Sequence, residues 1–155
     1  MIVVSDTSSI NYLVIIGYIE VLLPLFGTVI IPEQVLKELM ADDTPQVVRD
    51  WIDAKPDWLE VHDAKPILIV PRLHSGESAA IGLALEIQPD TVLIDERFAR
   101  SFARLQGLEV TGVLGVLERA HQQGLLDLET ALNKLKATSF RISERLLEDV
   151  LKRNA

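Results

Sequence analysis

Two aspartates stand where their chemistry would be usable. Asp6 closes the run Ile2-Val3-Val4-Ser5, and Asp95 closes Thr91-Val92-Leu93-Ile94. Short runs rich in β-branched residues and bounded by polar clusters predict strands buried on both faces. Each run therefore delivers a carboxylate to the end of a buried strand. Alone, either Asp has an ordinary explanation, because Asp is a preferred N-cap for a following helix. Together they suggest more. Neighbouring strands lie about 4.8 Å apart, and two carboxylates at that spacing repel unless a cation lies between them. Two further acids could join them. Glu38 falls on a predicted helix after Pro32, and Glu77 falls in the first turn of an apolar helix, where the helix dipole favours an anion. A solvated helix face would account for Glu38, and dipole complementation alone for Glu77. Carboxylates converging on one point are the hard oxygen ligands that Mg²⁺ or Mn²⁺ takes. A metal held there activates water and stabilises a phosphoryl transition state.

The elements that must position these acids follow from period and punctuation. Asp6-Thr7-Ser8-Ser9 offers caps for a helix starting near Ser8 and stopped by Gly17. A short helix fits Tyr18 to Leu25. Thr28 to Ile31 predicts a second strand, followed by Pro32 at a favoured first helical position and Val35, Leu36, Leu39 and Met40 on an apolar face. Thr44-Pro45 repeats the cap-then-proline signal for a helix through Trp51 and Ile52. Trp58-Leu59-Glu60-Val61 alternates like an exposed or edge strand. Ala64 to Leu73, with two prolines, reads as loop. Ser75 is the expected cap of a helix running through Leu85, apolar enough to be central. Helices are expected from Arg97 to Leu105, from Gly112 through Ala120, and at about Leu128–Ala137 and Ser143–Lys152. Leu108 to Thr111 is a short strand between the first two. Strands alternating with helices imply a parallel sheet covered on both faces, and such sheets bind ligands beyond the carboxyl ends of their strands.

Composition limits the function classes. The 155 residues carry 15 Lys plus Arg against 23 Asp plus Glu, a net charge of −8, with 48% hydrophobic and 25% charged residues. That is a globular composition for one domain over 1–155. No run reaches the roughly 18–20 apolar residues of a membrane span, the start lacks a basic signal-peptide region, and there is no cysteine for disulfides or thiolate chemistry. A soluble, cytoplasmic protein is expected. The acidity argues against a uniformly basic nucleic-acid binder, but it is uneven. Residues 1–63 hold 11 acids and 3 bases, while residues 64–155 hold 12 of each. Arg97, Arg100 and Arg104 fall on one helix face beside Asp95, either a phosphate rail or a solvated surface. Thr111 follows a strand and could meet a phosphate at the site edge. Zinc is disfavoured by three scattered histidines, His62, His74 and His121. No P-loop, dinucleotide or nucleophile-elbow motif occurs.

Several segments, in order, carry a family resemblance: Val3-Val4-Ser5-Asp6-Thr7-Ser8, then Ile31-Pro32-Glu33-Gln34-Val35 to Glu38, then Leu73-His74-Ser75-Gly76-Glu77-Ser78-Ala79-Ala80-Ile81. Leu93-Ile94-Asp95-Glu96-Arg97, Gly107 to Gly115, and Phe140-Arg141-Ile142-Ser143 follow. The chain resembles PIN-domain proteins of the VapC-like toxin kind, in a compact subgroup. The resemblance implies a three-layer α/β/α fold with a mainly parallel central sheet and extra C-terminal helices. It implies Mg²⁺- or Mn²⁺-dependent ribonuclease activity, with the family acids at Asp6, Glu38, Glu77 and Asp95 and a site hydroxyl at Thr7 or Ser8. It also implies a small antitoxin protein as partner and a homodimer. The sequence departs from the pattern at Glu77, where many members carry Asp. A different class of function is a non-catalytic PIN-like module that acts through protein contacts.

Overall fold

The computed structural model describes residues 1–63 and 70–155. Among the described residues, five strands form one sheet: β1 (Ile2–Ser5), β2 (Thr28–Pro32), β3 (Leu59–His62), β4 (Thr91–Leu93) and β5 (Val110–Thr111). Their order is β3-β2-β1-β4-β5, and all the pairings are parallel. The chain lays down β1, β2 and β3 in one direction, then returns past β1 to add β4 and β5 on the other side. The point where the order reverses lies between β1 and β4, paired as Val3 with Thr91, Val4 with Val92 and Ser5 with Leu93. Loops leaving two such strands diverge and open a crevice at their carboxyl ends.

Alternation along the strands assigns the two faces. Val3, Val29, Ile31, Leu59 and Leu93 point to one side, where they pack with α1 (Thr7–Ile15), α2 (Leu22–Phe26), α3 (Glu33–Leu39), α4 (Gln46–Asp53), α7 (Val113–Gln122), α8 (Leu128–Lys136) and α9 (Glu144–Arg153). Val4, Ile30, Val92 and Ile94 point to the other, against α5 (Ser75–Ile87) and α6 (Arg97–Leu105). This is the expected three-layer α/β/α arrangement. Both faces are covered, so β1 carries Val3, Val4, Ser5 and then Asp6 with no exposure at all. Such a strand has to be apolar throughout its middle.

Expected element boundaries hold to within a few residues, with informative differences. The segment Tyr18–Leu25 divides into a 3₁₀ turn at Ile19–Val21 and the five-residue α2. The β3 strand is the sheet edge, as its alternation implies. Trp51 and Trp58, with ring centroids 6.0 Å apart, pack on the core beside it. The hydroxyl of Thr44 does not cap α4: Pro45 occupies the N-cap position, and Thr44 donates instead to the carbonyl of Glu38 at 2.6 Å. Ser75 is the first residue of α5, and His74 takes the cap position. The segment read as loop, Ala64 to Leu73, lies in its first six residues outside the described residues. Gly17 and Gly107, after α1 and α6, have φ of 83° and 86°, the left-handed backbone that ends a helix most readily at glycine. No single helix among the described residues is long and apolar enough to cross a membrane.

Candidate active site

Asp6 and Asp95 emerge at the reversal point, where parallel pairing carries both chains out of the sheet side by side. The backbone N–H of Asp6 donates to Leu93 O at 3.0 Å, which extends the β1–β4 ladder by one bond. Asp6 then does what an isolated strand-end Asp is expected to do. It caps α1, with Oδ1 accepting from the N–H of Ser9 at 2.9 Å. Capping uses one oxygen only. Oδ2 is buried and has no hydrogen-bond partner among the described residues.

Asp95 is partly exposed and held by two donors. Its Oδ1 accepts from the N–H of Val113 at 2.8 Å, at the start of α7. Its Oδ2 accepts from the Ser9 hydroxyl at 3.3 Å. Ser9 thus touches both aspartates, through its backbone on one and its side chain on the other. Gly112 leaves the space beside Asp95 open, since a Cβ there would stand 3.1 Å from Oδ1.

The two glutamates converge from α3 and α5, which pack on one another. Glu77, 6% exposed, reaches back so that Oε1 accepts from the N–H of His74 at 2.9 Å. That reciprocal contact fixes the start of α5 and explains why His74, not Ser75, is its cap. Glu38, at the end of α3, accepts from the Thr7 hydroxyl through Oε1 and from Gln34 through Oε2. A cavity of about 230 Å³ lies among these groups, lined by Asp6, Thr7, Ser8, Glu38, His74 and Glu77.

The electrostatics follow from burial of like charges. Burial and then the charge of Asp95 push the Asp6 carboxyl from 3.8 up to about 8, with Glu77 adding to the rise. Glu77 is raised mainly by burial; the N–H of His74 and the His74 side chain oppose this, while Glu96 and Glu38 add to it. Asp95 is raised by burial, against its bonds to Val113 and Ser9 and the nearby Arg100. The site is a concentration of negative charge, with Arg100 and His74 as the opposing charges among the described residues.

The remaining expected site residues separate into near and far. Thr7 and Ser8 line the cavity. Arg100 folds back and donates to the backbone carbonyl of Asp95, so it belongs to the site edge. Arg97 and Arg104 are exposed on α6. Glu96, next to Asp95, caps α6 by accepting from Ala99 N–H at 2.7 Å. Thr111 departs from expectation. Its hydroxyl pairs with that of Thr91 at 3.0 Å, and its methyl packs at Gly115. Its hydroxyl has a partner within the sheet, and it is not among the residues that line the cavity. Ser9 and Gly76 are not singled out from sequence, and His74 is weighed there only as a zinc ligand. Ser9 and His74 sit beside recognised acids, but only the strand register and helix crossing reveal what they touch.

Among the described residues, no three His, Asp or Glu side chains form a ready-made metal shell. Each acid has turned at least one oxygen to a protein donor. The donor set nonetheless fits a hard divalent cation: its ligating atoms are carboxylate oxygens, one buried oxygen has no partner, and the mutual repulsion that raises Asp6 is what a cation would relieve.

An all-parallel sheet with helices on both faces and acids at its reversal point is the architecture of a PIN-like α/β/α domain. A family model described as a PIN domain (DUF3368) matches residues 2–155, and the chain belongs to that family. Among solved structures, a PilT N-terminus domain protein of the hyperthermophilic archaeon Sulfolobus solfataricus P2 is similar in fold. It has 14% identity and a TM-score of 0.53 over 92% of this chain and 100% of the other. No curated protein matches the chain. PIN domains are generally nucleases, and nuclease-type chemistry is the class of function that membership indicates.

Proposed function

We propose that this PIN-domain protein is a Mg²⁺- or Mn²⁺-dependent endoribonuclease that hydrolyses RNA phosphodiester bonds in the cytoplasm, as the toxin of a toxin–antitoxin pair. The observation that carries the reading is the unpartnered Oδ2 of Asp6, fully buried beside Asp95 and Glu77. An isolated buried carboxylate oxygen costs several kcal/mol unless something binds it, and a helix cap alone would not require it.

In this reading Asp6 and Asp95 hold the cation, and Glu77 and Glu38 complete the acidic shell directly or through water. The bound metal supplies Lewis-acid stabilisation of the phosphorane-like transition state and lowers the pKa of water. The chain's own groups do the rest. Glu38, held by Thr7, presents an acceptor to the attacking water. The hydroxyl of Ser8 stands in the same cavity, within reach of a phosphate oxygen. Arg97 and Arg100 on α6 bring positive charge beside Asp95, where an RNA backbone would pass. The excess of acids in residues 1–63 gives a basic antitoxin segment a complementary surface, and a homodimer belongs to the same reading.

Expression in a bacterial host tests the toxin role. The wild-type chain should arrest growth and degrade RNA, and Asp6→Asn should do neither. Arrest by both proteins would instead favour the protein-interaction module. Light scattering of the purified chain tests the homodimer, and a monomer at micromolar concentration would remove it.

A further inference from the structure

Gly76 occupies the second position of α5, buried, with Glu38 arriving from α3 on one side and Thr7 from α1 on the other. A Cβ added to Gly76 would stand 2.3 Å from Oε1 of Glu38 and 2.7 Å from the Thr7 hydroxyl. At both distances one of the two side chains would have to move aside. The same Oε1 is the atom that accepts from Thr7. The hydrogen bond between Thr7 and Glu38 is therefore seated directly on the backbone of α5 at a point where only glycine leaves room. The backbone φ of Gly76 is not in the left-handed region, so no conformational requirement for glycine exists there. Glycine is a poor helix former, and close approach is what remains to explain it here.

We propose that Gly76 is a positioning residue for Glu38. Its missing side chain lets the Glu38 carboxylate rest on the first turn of α5, within reach of Thr7 and facing the cavity shared with Asp6 and Glu77. A larger residue expels the carboxylate from that seat, and the acid is lost to the site although the residue itself remains. Thr7 is the second half of the device: its hydroxyl fixes which oxygen of Glu38 is engaged and leaves Oε2 to Gln34 at 3.3 Å. The inference rests on the metal-site reading only for its consequence. The seating itself concerns three side-chain positions and stands apart from it.

Two measurements on the full chain test it. The first is a thermal-unfolding cycle without metal, on wild type, Gly76→Ala, Glu38→Ala and the double variant. Gly76→Ala should lower Tm by several degrees in the wild-type background. In the Glu38→Ala background, where the carboxylate is gone and Thr7 is free to turn, the same change should leave Tm unchanged or raise it, and it should restore folding if Gly76→Ala alone does not fold. An equal loss of Tm in both backgrounds would overturn the proposal, and so would no loss in either. The second is Mn²⁺ calorimetry on wild type, Gly76→Ala, Glu38→Gln and their combination. Each single change should weaken binding about tenfold, as loss of a supporting contact in a metal site typically does, and the combination should be no weaker than either alone. Multiplying losses would contradict seating through Glu38. Absence of Mn²⁺ binding in the wild type would overturn the metal reading, with the unfolding cycle still deciding the seating.

Discussion

The Ser9 hydroxyl donates to Oδ2 of Asp95 at 3.3 Å, across 86 residues of sequence. The N–H of the same residue donates to Oδ1 of Asp6. Ser9 is fully buried on α1, a helix whose Ile10, Leu13 and Val14 anchor it to the sheet. One rigid residue thus bridges the two acids that the strand order brings together. Ser9→Ala keeps the bond to Asp6 and removes the one to Asp95. Urea unfolding at pH 7 should show a loss of about 1–2 kcal/mol, the cost of a partly buried hydrogen bond to a charged group. An unchanged midpoint would mean that the Ser9–Asp95 contact carries no energy.

Asp6 sets a pH dependence whose sign is opposite to the usual one for carboxylates. Its folded pKa of about 8 lies above its ordinary 3.8, because burial and Asp95 disfavour the charge. The folded state therefore holds a proton that the unfolded state releases. The stability that this proton contributes is complete below about pH 4 and is lost as pH rises through about 8. Metal-free protein should unfold more readily at pH 8.5 than at pH 6. Asp6→Asn, which keeps an acceptor for Ser9 and carries no charge, should remove most of that slope and gain about 1–3 kcal/mol at pH 8.5. Denaturant titrations at the two pH values measure both effects. A wild-type slope retained in the variant would place the proton elsewhere.

Glu118 works in the ordinary direction. Arg153 reaches it from α9 through Nε at 2.6 Å and Nη2 at 2.9 Å, and Asn154 adds a bond at 2.7 Å. These contacts, Arg153 first, hold the Glu118 carboxyl below its usual range. Its contribution is present above the unfolded pKa and lost as pH falls through the folded one. Arg153→Ala should lower stability slightly, since the pair is bidentate but the Arg is exposed to solvent, and the loss should shrink in high salt. The C-terminal helix should also exchange its amide protons faster. Unaltered exchange in α9 would show that Leu147 and Val150 hold it alone.

Divalent cation should reverse the electrostatic strain at the site. At about 100 times its dissociation constant, Mn²⁺ binding only the folded form raises stability by about 2.7 kcal/mol. Protons compete for Asp6, so the affinity should increase between pH 6 and pH 8. Thermal shifts with and without Mn²⁺ should show the gain in the wild type and none in Asp6→Asn. An equal gain in the variant would locate the cation away from Asp6.

The parts of this site that were legible in the sequence are the local ones. A strand buried on both faces is apolar without interruption, so Ile2 to Ser5 and Thr91 to Ile94 declared themselves, and with them the acids at their ends. The first-turn position of Glu77 followed from the helix start. What Ser9 and Gly76 do was not legible, because it depends on the crossing of α1, α3 and α5 and on the β1–β4 register, which no window of sequence contains. Thr44 and Thr111 show the same limit from the other side. Each hydroxyl had a plausible local role, and each found a better-placed partner, the carbonyl of Glu38 and the hydroxyl of Thr91.

The central claim is that the carboxylate of Asp6 supports metal-dependent phosphodiester hydrolysis. It is tested most directly by incubating single-stranded RNA with purified wild-type and Asp6→Asn protein in Mn²⁺, with circular dichroism to verify the fold of each. The wild type should cleave, EDTA should stop it, and the variant should be folded and inactive. Full Mn²⁺-dependent cleavage by folded Asp6→Asn would contradict the account.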